Sequence, residues 1–88
     1  MDKYNKIDTI VEQLGSSEKT AVSLYETLKG IIKEEIIELE KIQQGPRRFL
    51  RIITVLKQEY WASVDRGFFI SSVYKNYVGG ELVYRAIR

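Results

Sequence analysis

The six residues "QQGPRR", Gln43–Arg48, set a glycine beside a proline near the middle of the chain, and no helix runs through that pair. Proline lacks a backbone N–H and clashes with the preceding turn in a helix interior, yet it fits the first turn of a new helix. Glycine fits the left-handed position just past a helix end. Gly45 and Pro46 therefore divide the chain into two halves joined by a tight connection, with antiparallel neighbours on either side.

The halves differ in kind. Residues 1–44 hold six lysines against nine carboxylates, whereas residues 45–88 hold eight Lys or Arg against three. All six arginines and eight of the ten aromatic residues lie in the second half. A formal net charge of only +2 thus conceals an acidic half and a basic, aromatic one. The bland account is that the two halves pack with opposite charges facing; the other is a basic face made for a partner.

Eighty-eight residues, 44% of them hydrophobic and 30% charged, are enough for one globular domain spanning 1–88, with no linker and no second domain. The chain has no cysteine and no histidine. That excludes a disulfide framework and thiolate metal sites, and it removes the commonest general base. The N-terminal "MDKYNKIDTI" carries charge where a signal peptide has its apolar core, and no apolar run approaches the ~18 residues of a membrane span. The expectation is a cytoplasmic protein without membrane insertion.

Periodicity points to helices. Ile7, Ile10, Val11 and Leu14 form one stripe, closed by Gly15, which predicts a helix over about 4–14. Ser16 or Ser17 can cap a second helix, and apolar positions from Ala21 through Leu24, Leu28, Ile32, Ile36, Leu39 and Ile42 carry it over 17–43, with Gly30 marking a bend or break. Beyond Pro46, a helical projection gathers Phe49, Ile53, Leu56 and Tyr60 on one arc as core, with Arg47, Arg51, Thr54 and Gln58 opposite and Lys57 and Trp61 on a flank. In "RGFFISSVYKNYVGG" the β-branched and aromatic residues favour strand, but apolar pairs recur every four residues, which predicts a fourth helix over about 65–78 and a short tail at 81–88. The fold expected is all-α, a small antiparallel bundle of three to four helices with one long member. The alternative is an α+β chain with a C-terminal β-hairpin around Gly79-Gly80.

Tests for chemistry come out negative. There is no phosphate-cradling glycine motif, no zinc motif and no calcium-loop spacing. Glu34, Glu35, Glu38 and Glu40 lack the histidines that accompany dimetal helical sites and read as a solvated charged face. No catalysis, no cofactor and no small-molecule substrate is expected. What remains is binding. The partner-binding candidates are Arg47, Arg48, Arg51, Lys57, Gln58, Trp61, Arg66, Lys75 and Tyr84, basic and aromatic residues of the second half. Arg, Trp and Tyr are enriched at the energetic centres of protein interfaces, so the first reading is a small helical regulator or adaptor acting by protein contact, as a homodimer or with another protein. The alternative is a nucleic-acid-binding regulator in which Arg47, Arg51 and Gln58 track phosphates while Trp61 or Tyr84 stacks on a base. In outline alone, four short antiparallel helices in a mildly basic chain resemble class II bacteriocin immunity proteins; no motif carries that likeness and no residue is transferred from it.

Overall fold

The computed structural model describes residues 3–76 and 80–87. Two helices, α1 (Lys3–Leu14) and α2 (Glu18–Ile32), precede five strands: β1 (Ile36–Gln44), β2 (Arg47–Thr54), β3 (Glu59–Asp65), β4 (Phe69–Lys75) and β5 (Glu81–Arg85). The strands pair in chain order as an antiparallel meander, so the chain is α+β and not an all-α bundle. No described helix is long and apolar enough to cross a membrane.

The helical hairpin follows the local signals. At Gly15 φ is +67°, and its N–H closes α1 by donating to the Val11 carbonyl at 2.8 Å. Ser17 caps α2, its Oγ accepting from the Thr20 N–H at 3.1 Å, with Glu18 in the first turn. The long helix over 17–43 does not form. Lys33 takes the left-handed conformation, φ 61°, and ends α2 only two residues beyond Gly30. The link into β1 is then fastened to the sheet: the Glu34 carboxylate accepts from Thr54 Oγ1 at 2.6 Å and from the Tyr60 hydroxyl at 2.9 Å.

The helical rhythm of the following residues has a different cause. A bulge between Ile36 and Glu38 lets Ile36 and Leu39, three apart, both face the helices. An irregularity in the β3–β4 pairing does the same for Ile70 and Val73. Bulged strands therefore imitate a helix, and the helix expected over 65–78 is instead the end of β3, its turn and β4. Residues 77–79, and with them Gly79, lie outside the described residues. The α+β alternative named only a C-terminal hairpin; β4 and β5 do pair antiparallel, but the sheet extends through the whole second half and back to Ile36.

Gly45-Pro46 joins strands, not helices. Gln44 pairs with Arg47 across a two-residue turn in which Gly45 has φ +58°. Proline fixes the second central φ as negative, so this is the type II′ hairpin class, whose twist matches paired strands. "FLRIITVL" fails to alternate because β2 is covered on both sides: Leu50 and Ile52 lie beneath the helices, while Phe49, also fully buried, points the other way. Leu56, expected in the core, sits at the tip of the β2–β3 turn and is 65% exposed; Ile53 is half-buried.

The helices cover one face of the sheet. Ile7, Ile10 and Leu14 of α1, together with Leu24, Tyr25 and Leu28 of α2, pack on Leu50, Ile52, Ala62, Val64 and Val73. Gln13 of α1 also reaches the sheet margin, its Oε1 accepting from the Lys41 N–H at 3.1 Å. That bond shields part of the edge strand β1 from pairing with another chain.

Candidate functional site

The face turned away from the helices carries Arg51 and Trp61 at its centre, placed there by strand alternation. The register lays Glu40, Arg51, Trp61, Tyr74 and Leu82 side by side, one from each strand. The next row holds Ile42, Phe49, Ser63, Ser72 and Arg85. Ile53 and Glu59 form a neighbouring pair.

At the centre, charges are matched within the chain. The Arg51 guanidinium donates through Nε to Glu59 Oε2 at 3.0 Å, through Nη2 to Glu59 Oε1 at 3.3 Å, and through Nη1 to Glu40 Oε1 at 3.4 Å. Trp61 Nε1 donates to the same Glu59 Oε2 at 2.6 Å. The Arg51 hydrogen bond, followed by that of Trp61, keeps the Glu59 carboxyl below its ordinary range. Reciprocally, the Glu59 hydrogen bond raises Arg51 further. Beneath them, the Phe49 and Trp61 rings meet edge to face with centroids 5.9 Å apart, and the Arg47 guanidinium lies 4.8 Å over the Phe49 ring.

The nine candidate residues do not form one surface. Arg51 and Trp61 share the open face. Arg47, Arg48 and Arg66 gather at the end of the sheet that carries the β1–β2 and β3–β4 turns, around a cleft of about 580 Å³. Lys57 and Gln58 lie at the opposite end, in the β2–β3 turn. Lys75 pairs with Glu81 and Tyr84 with Val73, on the side of the helices, where Tyr84 packs against the core. The helical face expected to carry Arg47, Arg51 and Gln58 does not form, because Arg47–Thr54 is a strand and Gln58 lies in the turn after it.

Sequence reasoning missed Glu40, Glu59, Tyr74, Ile42 and Leu82. Alternation within "EYWASVD" would have put Glu59 beside Trp61, had that segment been read as a strand. The acidic cluster also separates: Glu38 and Glu40 face away from the helices, Glu34 clamps Thr54 and Tyr60, and no metal-binding group of carboxylates forms among the described residues. No protein-family model matches this chain, and no curated protein or solved structure matches it.

Proposed function

We propose that this chain acts by protein contact, without catalysis, and that a second copy of itself packs on the open face of the sheet. The observation that carries the reading is the row Arg51–Trp61–Tyr74–Leu82, in which arginine and aromatic side chains lie together on a face that no helix covers. Trp, Tyr and Arg are enriched at the energetic centres of interfaces: the two aromatics bury large area with few rotors, and the arginine fork is planar and pre-organised. Arg51 already has its carboxylates, so it can enter an interface without leaving a buried charge unpaired. The face also complements itself. Its acids Glu38 and Glu40 lie on β1, and Arg85 lies on β5; a two-fold axis along the strands sets β1 of one copy against β5 of the other. Two such sheets would stack as a β-sandwich about 10 Å apart.

Light scattering on size-exclusion fractions tests this reading. The expected result is a concentration-dependent dimer, weakened by about 1–2 kcal/mol or more in Trp61→Ala. Because Trp61 also supports Phe49, Leu82→Arg is the second variant: Leu82 is 41% exposed, so the fold should survive while the dimer is lost. A monomer at every concentration reached, unaltered by Leu82→Arg, overturns the proposal.

A second reading has one observation in its favour. Trp61 and Tyr74, adjacent on an open sheet, are the kind of platform on which unpaired bases stack. Against it, Arg51 is held by two carboxylates and Glu38, Glu40 and Asp65 share its face. The bacteriocin-immunity outline loses its basis, since only two of the four expected helices form among the described residues and a sheet takes the place of the rest.

A further inference from the structure

The cleft at the end of the sheet has a chemistry of its own. In a meander, alternate turns fall at the same end, so Arg47 and Arg48 after the β1–β2 turn meet Arg66 in the β3–β4 turn. With Pro46, Ser63 and Asp65 they line a space of about 580 Å³. That volume falls within the roughly 300–1,000 Å³ typical of small-molecule sites.

Three guanidiniums and one carboxylate leave the cleft with an excess of two positive charges. Unlike Arg51, none of these arginines forms an ion pair among the described residues. Two of them are nonetheless fixed in place: Arg47 over the Phe49 ring, and Arg48 at 5.2 Å over the Phe68 ring. Arg48 Nη2 donates to the Asp65 carbonyl at 3.3 Å, a long bond, while its Nε is sealed from solvent with no acceptor among the described residues. A buried donor without a partner carries an energetic cost, so Arg48 has hydrogen-bonding capacity that its described neighbours do not meet.

We propose that this cleft binds the phosphate group of a phosphorylated small molecule, with Arg47, Arg48 and Arg66 as its ligands. A phosphomonoester carries up to two negative charges and three terminal oxygens, which matches the charge excess and gives each guanidinium an acceptor; a carboxylate supplies one charge and two oxygens. A polymer is a poorer match, because Gln43, Ser63 and Asp65 line the cleft between its arginines and the open face beyond it carries Glu38, Glu40 and Glu59. The molecule is bound as a ligand; no turnover is implied. This inference is independent of the dimer.

Backbone NMR titration of the intact chain tests it, with inorganic phosphate, a nucleoside 5′-monophosphate, the parent nucleoside, and a single-stranded oligonucleotide lacking a terminal phosphate. The expected result is saturable shifts at residues 45–48 and 65–68 with the first two probes and none with the nucleoside. Arg66→Ala, at an exposed turn position, should weaken binding about tenfold or more, and Arg48→Lys should weaken it too, because the charge remains but the fork is lost. Lys57→Ala, at the far end of the sheet, should leave binding unchanged. Shifts that never saturate, or that Lys57→Ala diminishes as much as Arg66→Ala does, show an adventitious ion only and overturn the proposal. An oligonucleotide that binds more tightly than the monophosphate, with shifts running through Trp61, also overturns it, in favour of a polymer surface.

Discussion

Phe49 is fully buried although no helix covers its side of the sheet. Its cover is made of side chains: the edge of the Trp61 indole, the Arg47 guanidinium, and Ile42 across the strand pair. A ring so enclosed leaves a cavity when removed, so Phe49→Ala should cost about 3–5 kcal/mol in urea unfolding. Leu56→Ala should stay within about 0.5 kcal/mol, because the side chain is 65% exposed at a turn. Similar costs for the two would mean that β2 faces the wrong way. Glu59 ties the same cluster to pH. Its carboxyl is lowered from an ordinary 4.5 by the Arg51 hydrogen bond first and that of Trp61 second, so the folded state holds the charged form more tightly than the unfolded one. The stabilisation is complete above 4.5 and is lost as pH falls through the lowered value. Acid unfolding of Glu59→Gln should therefore show a shallower dependence between pH 4.5 and the acid limit than the unaltered chain. Tyr60 gives the opposite sign. Burial and the Glu34 carboxylate push its hydroxyl up to about 12, so its contribution is complete below 10.0 and fades as pH rises towards 12.

At the scale of elements, two left-handed residues decide where helices stop. Gly15 adopts its φ of +67° freely, and a Cβ there would meet nothing within 4 Å, so Gly15→Ala tests conformation alone and should cost about 1 kcal/mol. Lys33 pays the corresponding penalty in the native chain, with φ 61°. Lys33→Gly should raise stability by about 0.5–1 kcal/mol, the left-handed penalty relieved less the entropy that glycine adds to the unfolded chain. A lower melting temperature in Lys33→Gly would show that the lysine side chain does more than end the helix. The contrast also explains what could be read in advance. Gly15 and Ser17 are local signals, and the helical hairpin they bound is visible in the residues themselves. Lys33 carries no such signal, and beyond it Ile36 and Leu39 keep a spacing of three that belongs equally to a helix face and to a bulged strand, while Ile42 falls on the open face. Only pairing with β2 resolves the ambiguity, and pairing is a long-range fact. The candidate site was legible in composition, since Arg47, Arg51 and Trp61 do lie on the open face, but not in arrangement. Glu40 and Glu59 become partners of Arg51 only through strand register.

For the whole molecule, the positions of the charges separate the modes of association. Arg47, Arg48 and Arg66 occupy one end of the sheet, Lys57 the other, and Lys75 the side of the helices, so these cations form no continuous track among the described residues. A nucleic acid gripping the basic end would neutralise about three phosphates, giving a log–log salt slope of roughly −2 to −3. A dimer through the open face should behave otherwise. Arg51 is already held by Glu40 and Glu59 within each copy, which leaves one carboxylate charge in excess rather than several, so the dissociation constant should change by less than about tenfold over the salt range in which phosphate contacts are lost. Arg51→Ala supplies the sharper outcome. Without the guanidinium, Glu40 and Glu59 stand uncompensated on each of two apposed faces, and the dimer should weaken most at low salt and partly recover as salt screens the repulsion. If Arg51 instead contacted phosphates, the same substitution would weaken binding at all salt concentrations and reduce the slope by about one unit. Sedimentation or light scattering of Arg51→Ala across a salt series distinguishes the two: recovery with added salt supports the sheet-to-sheet dimer, and monotonic weakening overturns it.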